Sequence, residues 1–221
     1  LLAYAPDGAR GTATVALTGS DGVPHQVRLQ IAVPGEHMAS NAVGALLAGL
    51  ELGAPLPGLL AGLAGFGGIR RRFEFIGQAA GARIYDDYAH HPTKVAAALR
   101  GARQVAGRGR LVVAFQPHLY SRTRDFAAEF GTALALADVV LLLDVYGARE
   151  DPLPGVTGAL IAQAVPLPAD RVRYERCWAD VPGRLADLVQ PGDVVITMGA
   201  GDVTGLGPEL LAELRRRAGS S

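Results

Sequence analysis

From residue 73 onwards, the sequence repeats a unit in which a short apolar run precedes an amphipathic, helix-like segment. The expected strands are 83–88, 110–115, 139–144, 171–174 and 194–198. The runs Leu111–Ala114 and Val139–Leu143 are apolar throughout, which is typical of strands buried on both faces of a parallel sheet. The alternation predicts right-handed crossovers and an α/β fold with a Rossmann-like, doubly wound, mostly parallel sheet.

The residues before this repeat follow a different pattern. Apolar and polar residues alternate over 11–33 around a turn at Gly19–Gly22, which predicts an antiparallel hairpin. A helix is expected from about Glu36 to Leu52 and a shorter one over 55–64. We therefore predict two domains, 1–72 and 73–221. The first would be the β-hairpin and helical end of a central ATPase domain, and the second a Rossmann-like ligase domain. The segment Gly65–Gly68, which contains three glycines, would form a hinge near the boundary between the two domains.

Charge and composition exclude several functional classes. The chain has 221 residues with 21 basic and 21 acidic side chains, which argues against nucleic acid or a membrane surface as its partner. It has one cysteine, so an intramolecular disulfide is excluded and a cytoplasmic location is expected. No apolar run approaches the roughly 20 residues of a membrane span. The chain opens without Met, and we expect it to be part of a longer protein.

Polar and ionisable residues cluster directly after the predicted strands. The clusters are Asp86–His91, Gln116–Arg124, Asp144–Glu150 and Gly199–Asp202. Because the carboxyl ends of parallel strands meet at one edge, these clusters should converge where open α/β sheets bind ligands. The opposite edge is expected to hold mostly Gly, Ala and Arg.

The residue types in these clusters suit an anionic substrate. Arg122 can bind a carboxylate through two hydrogen bonds, which a lysine cannot reproduce. Histidines beside carboxylates can stabilise a developing negative charge. The three arginines of Arg70–Arg72 would either clamp a phosphate or form a solvated face. A simpler alternative is that the Asp and His residues only cap a strand-to-helix turn.

Taken together, the clusters resemble those of the Mur ligases of peptidoglycan synthesis, and within them the branch that adds L-alanine. The resemblance rests on the segments Pro34–Asn41, Arg71–Glu74, Asp86–Thr93, Phe115–Arg124, Asp144–Tyr146 and Gly199–Asp202, in that order. The paired histidines after Asp-Asp-Tyr and the Gln-Pro-His…Ser-Arg-Thr-Arg run are its most specific parts. The Asp-Asn-Pro-Arg sequence expected of the diaminopimelate-adding branch is absent from the sequence.

The resemblance implies an ATP-dependent ligase that joins L-alanine to the carboxylate of UDP-N-acetylmuramate through an acyl phosphate. Magnesium would neutralise the phosphate oxygens. The family has a UDP-binding domain, a central ATPase domain with a P-loop and a C-terminal Rossmann-like domain. The sequence contains no Gly-x-x-x-x-Gly-Lys-Ser/Thr, so the chain alone is expected to be inactive.

Roles for individual residues also follow from the resemblance. It implies that Asn41, Arg72 and Asp87 bind ATP, at the adenine, a phosphate and the ribose. His90 is implied near the reacting groups as the catalytic residue, while His118 and Arg122 bind the incoming amino acid. No residue is assigned as a metal ligand.

Two residues depart from the family pattern. Met38 stands where relatives usually have Asn, and Leu119 where many have Arg. A nucleotide contact and a helper for the carboxylate are therefore in doubt.

Two other functions remain open. One is a related ligase that attaches a whole peptide to the same sugar nucleotide. The other is a nucleotide-binding module without catalysis of its own, which the absence of a P-loop would suit.

Overall fold

The computed structural model describes residues 1–18 and 22–219, which form two compact units. The first unit is Leu1–Ile69 and the second begins at Arg70. The predicted domain boundary after Arg72 falls just inside the second unit. Gly67 and Gly68 lie outside any helix or strand, while the predicted hinge motion stays a prediction. In the described part of the chain, no helix combines the length and the apolar character needed to cross a membrane.

The first unit is a three-stranded antiparallel sheet covered by two helices. Its elements are β1 (Ala3–Asp7), β2 (Arg10–Thr18), β3 (Pro24–Ile31), α1 (Glu36–Glu51) and α2 (Leu56–Ala64). Strands β2 and β3 form the predicted hairpin, with Ala13 opposite Leu29. The predicted turn lies mostly outside the described residues, because Gly19–Asp21 are not among them. Strand β1, which pairs with β2, was not predicted.

The second unit is built on a six-stranded sheet. Its strands are β4 (Glu74–Ala79), β5 (Ala82–Asp87), β6 (Leu111–Gln116), β7 (Val139–Leu143), β8 (Val172–Glu175) and β9 (Val194–Gly199). The sheet order is β4-β5-β9-β6-β7-β8, and every pair except β4·β5 is parallel. The helices are α3 (Pro92–Ala106), α4 (Tyr120–Asp125), α5 (Ala127–Leu134), α6 (Gly158–Ala164), α7 (Val181–Leu188) and α8 (Leu206–Ala218). The mostly parallel, doubly wound sheet is therefore confirmed.

Side chains that alternate along the central strands feed two separate cores. From β6, Leu111, Val113 and Phe115 pack with α3, α5 and α6 on one face, while Val112 and Ala114 pack with α7 and α8 on the other. All of these side chains are fully buried. Two-sided burial explains why β6 and β7 read as continuous apolar runs in the sequence.

In the second unit, the structure also departs from the prediction at β4 and at the helix expected after β6. The edge strand β4 was not predicted, and it is interrupted by a bulge between Phe75 and Gly77. The single helix expected over 121–136 is divided at Phe126 into α4 and α5. The break has no Pro or Gly, so the sequence carries no local signal for it.

The amino ends of the strands also carry acidic residues that the predicted Gly, Ala and Arg composition left out. Asp193 forms two hydrogen bonds with the Arg110 guanidinium, at 3.0 and 2.7 Å. Asp138 pairs with Arg103 and accepts a hydrogen bond from the backbone N–H of Leu111 at 2.7 Å. These ion pairs tie together the starts of β6, β7 and β9, so this edge is occupied by structural contacts.

One glycine sets how closely α6 approaches the sheet. A Cβ at Gly158 would lie 1.9 Å from the carbonyl oxygen of Leu143 and 2.9 Å from the Tyr174 ring. We therefore expect Gly158→Ala to lower the free energy of unfolding by about 1–3 kcal/mol, as overpacking of a rigid core does. Urea unfolding monitored by the fluorescence of the single tryptophan, Trp178, would measure it.

Gly183→Ala is the matched control for this substitution. Gly183 lies in α7 of the same unit, and the nearest atom to an added Cβ is 3.9 Å away. The control should be neutral or slightly stabilising, since alanine favours helix. Equal effects of the two substitutions would show that close packing at α6 does not limit stability.

Candidate active site

The polar clusters lie together at the carboxyl ends of the parallel strands, as predicted. Strands β5, β6, β7 and β9 end at Asp87, Gln116, Leu143 and Gly199. An isolated parallel bridge joins His118 to Tyr146, so the loops after β6 and β7 continue side by side beyond the sheet. The site is therefore formed by the ends of these strands and by the two paired loops that follow β6 and β7.

His90, His118 and Arg122 form the centre of this site. The Arg122 guanidinium approaches the His90 carbonyl oxygen and the His118 Nδ1, each at 3.4 Å from Nη1. The two imidazole rings lie edge to face with centroids 5.9 Å apart. The Tyr146 ring stacks on the other side of His118, at 5.8 Å. A cation and two imidazoles thus lie together at this edge of the sheet.

The surroundings of both histidines favour the neutral imidazole. Burial lowers the pKa of His90 from its ordinary 6.5, and the positive charges of Arg122 and Lys94 lower it further, although a hydrogen bond to Tyr88 opposes them. Burial and then Arg122 lower the pKa of His118 in the same way. His90 Nδ1 lies 2.7 Å from the Tyr88 carbonyl oxygen, which only accepts, so this nitrogen carries the proton. Nε2 of His90 is therefore left as a proton acceptor.

The pKa of His90 should rise when the charge of Arg122 is removed. In Arg122→Gln, the loss of the guanidinium charge makes protonation of the imidazole easier. The Cε1 chemical shift of His90, followed by NMR over a pH titration, measures the change. Arg124→Gln is the control, since Arg124 lies on the same helix and pairs with Asp125. An unchanged His90 titration in Arg122→Gln would contradict the electrostatic coupling.

Asp86 and Asp87 end β5 but point to different partners. Asp86 is fully buried and accepts hydrogen bonds from the hydroxyls of Thr197 and Thr204, at 2.7 and 2.8 Å. Asp87 is 5% exposed and accepts from the backbone N–H groups of Phe73 and Ala89, at 2.9 and 2.8 Å.

Burial raises the pKa of Asp87 from 3.8 to about 6, against the two backbone hydrogen bonds and Arg72. Asp87 is therefore held by backbone donors and shielded from solvent, although the resemblance implied that it binds a ribose.

The three arginines of Arg70–Arg72 differ in position, and one of them points into the second unit. Arg71 turns inward, where its guanidinium donates to the carbonyl oxygen of Gly199 at 2.9 Å and lies 3.5 Å from Asp86. It also stacks over the Tyr88 ring at 4.7 Å. Arg72 lies 5.7 Å from the same ring, and the side chain of Arg70 is 92% exposed. Arg72 is therefore the arginine of this run that remains available beside the site.

Tyr88 lies between two of the predicted site residues, Arg72 and His90. Its ring contacts Arg72 on one side and lies edge-on to His90, with centroids 4.9 Å apart. The sequence pattern gave no individual role to Tyr88 or Tyr146. Tyr88 and Tyr146 follow strand ends within the polar clusters, and this position is the signal that could have identified them.

Asn41 belongs to the first unit. It is exposed on α1, where its amide nitrogen lies 3.9 Å from the Met38 sulfur. It lines a cavity of about 290 Å³ whose walls are otherwise mostly apolar, including Val33, Phe66 and Ile69. An amide at the mouth of an apolar cavity is a common arrangement for binding a flat, polar-edged ring.

Sequence comparison places this arrangement in a known family. The family described as "Mur ligase, glutamate ligase domain" matches residues 71–201, which cover β4 to β9 and the polar clusters of the site as far as Gly201. The chain belongs to the Mur ligase family.

Individual Mur ligases match along the whole chain. The UDP-N-acetylmuramate–L-alanine ligase of Saccharopolyspora erythraea is 64% identical over 221 residues, which are 100% of this chain and 44% of that protein. The corresponding ligase of Kineococcus radiotolerans is 61% identical over 207 residues, covering 94% of this chain and 44% of that protein. This chain therefore spans less than half the length of these curated relatives.

The fold also matches a solved Mur ligase. The crystal structure of UDP-N-acetylmuramate-alanine ligase from Thermotoga maritima superposes with a TM-score of 0.79 at 25% identity. The match covers 100% of this chain and 46% of that one. Both units of this chain therefore have counterparts in a single Mur ligase.

Proposed function

We propose that this chain holds the incoming amino acid in an ATP-dependent ligase that joins L-alanine to UDP-N-acetylmuramate. The reaction would belong to cytoplasmic synthesis of peptidoglycan precursors. Residues 1–72 would serve the ATP-binding part and residues 73–221 the amino-acid part. The observation that carries the proposal is the Arg122 guanidinium, which contacts the His90 carbonyl oxygen and the His118 ring at the carboxyl edge of the sheet.

The geometry suits an amino acid that must be held by its carboxylate and deprotonated at its amine. Arg122 uses Nη1 towards His90 and His118, which leaves donors on Nη2 and Nε for a carboxylate. Nε2 of His90 is the free acceptor that can take a proton from the ammonium group. The lowered pKa of His90 keeps that acceptor available near neutral pH. Tyr146, stacked on His118, closes the space on the far side.

ATP, when bound, supplies the phosphoryl group that activates the carboxylate of the sugar nucleotide. Within this proposal, Asn41 faces the adenine and Arg72 a phosphate. Asp87 supports the ribose side mainly by fixing the backbone of Phe73 and Ala89.

Magnesium is also part of the proposal. Among the residues that the structure describes, no group of three or more His, Cys, Asp or Glu is arranged to hold a metal ion. We therefore assign no metal ligand in this chain and derive no step through the ion.

Two alternatives can be weighed against the comparisons. A ligase that attaches a whole peptide is disfavoured, because the relatives that match at 64% and 61% identity are both L-alanine ligases. A nucleotide-binding module without catalysis is disfavoured by the cluster of Arg122, His90 and His118, which nucleotide binding alone would not require.

A chimera tests the proposed function. The 221 residues of this chain would replace the matching segment of the Saccharopolyspora erythraea ligase, and release of phosphate from ATP would be measured. We expect turnover that requires both UDP-N-acetylmuramate and L-alanine. Turnover with a peptide in place of alanine would support the related ligase. A folded chimera that binds ATP but turns over neither substrate would support the nucleotide-binding module.

A further inference from the structure

The short helix α4 carries Arg122 but lacks an N-terminal cap of its own. Its N-cap residue is Leu119, whose side chain has no oxygen to accept a hydrogen bond from the first turn. Leu119 also adopts φ 73°, a backbone conformation that residues with a Cβ rarely occupy. The first N–H groups of a helix need acceptors, and these usually come from Ser, Thr, Asp or Asn at the N-cap.

A carboxylate from another loop supplies these acceptors. Oε2 of Glu150 accepts a hydrogen bond from the backbone N–H of Ser121 at 2.8 Å, and its Oε1 accepts one from the Ser121 hydroxyl at 2.5 Å. These two bonds, and a further one from the backbone of Tyr120, lower the pKa of Glu150. The negative charge also lies where the helix dipole favours an anion.

The loop after β7 is shaped to deliver Glu150 to this position. Ala148 adopts a left-handed φ of 52°, and the N–H of Glu150 closes the turn on the carbonyl oxygen of Gly147 at 2.9 Å. A Cβ at Gly147 would lie 2.6 Å from the Tyr120 ring, so the loop approaches α4 closely. The same loop bonds to the segment before α4 through Leu119 N–H to the Tyr146 carbonyl oxygen, at 3.0 Å.

We propose that Glu150 is a positioning residue of the amino-acid site. By holding the first turn of α4 against the loop after β7, it fixes Arg122 and His118 relative to each other and to Tyr146. Arg122 is the residue that directly follows Ser121, so a displaced first turn moves the guanidinium directly. This inference rests on the proposed function, because the site is read as one for L-alanine. It adds a residue that does not itself touch the amino acid.

Substitutions of Glu150 in the chimera test the role. Glu150→Ala should raise KM for L-alanine about tenfold, in line with the loss of a helix N-cap, and leave KM for ATP within about twofold. Glu150→Gln should recover most of the effect, since its amide can accept from the Ser121 N–H and donate to the Ser121 hydroxyl. The control is Glu213→Ala, because Glu213 pairs with Arg216 and Arg217 on α8.

NMR on the 221-residue chain separates this inference from the proposed function. Glu150→Ala should speed amide exchange at Ser121, whereas Glu150→Gln and Glu213→Ala should not. If wild-type chimera does not use alanine but Ser121 exchange responds to Glu150→Ala, the proposed function fails, while the part of the inference in which Glu150 holds the first turn of α4 stands. If wild-type chimera uses alanine and Glu150→Ala leaves KM for alanine unchanged, the positioning role is wrong. Should Glu150→Ala fail to fold, Glu150→Asp is the second variant, because its carboxylate is one methylene shorter and falls short of Ser121. An unchanged Ser121 amide exchange and an unchanged alanine KM in Glu150→Asp would reject the role.

Discussion

Arg122→Lys in the chimera should lower kcat/KM for L-alanine by about one to two orders of magnitude. A guanidinium offers a planar pair of donors to a carboxylate, whereas an ammonium is a point charge. The loss of one of two charge-assisted hydrogen bonds costs roughly 1.5–3 kcal/mol, which corresponds to this range of rate. Nη1 of Arg122 also contacts His90 and His118, and lysine cannot keep those contacts while reaching the substrate. KM for ATP should change little.

The control for this substitution is Arg124→Lys on the same helix. Arg124 pairs with Asp125, and its side chain is 56% exposed. It should leave both Michaelis constants unchanged. If Arg122 only stabilised the helix, Arg122→Lys would lower the melting temperature slightly and leave the kinetics with alanine unchanged. A stable Arg122→Lys chimera with an unaltered KM for alanine would remove Arg122 from the carboxylate site.

The sheet, and the edge of it that carries the site, could be predicted because a strand buried on both faces is apolar at nearly every position. Strand β7 is apolar at all of Val139–Leu143, and only a strand covered on both faces requires this. Polar residues then appear at Asp144, where the strand ends and the chain leaves the core. The parallel arrangement brings such ends together whatever their separation in sequence, so the convergence of His90, His118 and Arg122 followed from topology.

The contacts within the site could not be predicted from local patterns. The three consecutive arginines at 70–72 are identical in sequence, yet Arg71 is turned inward onto Asp86 and Gly199. This difference arises because Arg71 adopts φ 59° and its backbone is held by Tyr88 and Glu74. Likewise, the edge strand β4 has little apolar alternation, and it is held by pairing with β5 and by the half-buried side chains of Ile76 and Ala79 against the core. Long-range partners decide such features.

Asp86→Ala should be among the most destabilising single substitutions in the second unit. Asp86 is fully buried, and its two oxygens accept from Thr197 and Thr204 while Arg71 lies 3.5 Å away. Alanine would remove the carboxylate acceptor of both hydroxyls and the charge partner of Arg71, leaving Thr197 the Tyr85 carbonyl oxygen at 3.3 Å and Arg71 its bond to the Gly199 carbonyl oxygen. Removing one partner of a buried pair costs about 3–5 kcal/mol. The Arg71 side chain is 25% exposed, so water can replace part of the lost contact. We therefore expect a loss near the lower limit, about 3 kcal/mol.

Urea unfolding of the 221-residue chain, followed through Trp178 fluorescence, measures this loss in the second unit. In thermal unfolding of the same chain, a change of about 2–4 °C per kcal/mol predicts a melting temperature lower by roughly 6–12 °C. Asp86→Asn should cost less, because the amide oxygen and nitrogen can still bond one threonine hydroxyl each. Asp125→Ala removes an exposed carboxylate paired with Arg124 and should leave the midpoint nearly unchanged. If Asp86→Ala were no worse than Asp125→Ala, the buried carboxylate would not be what joins Arg71 to the ends of β5 and β9.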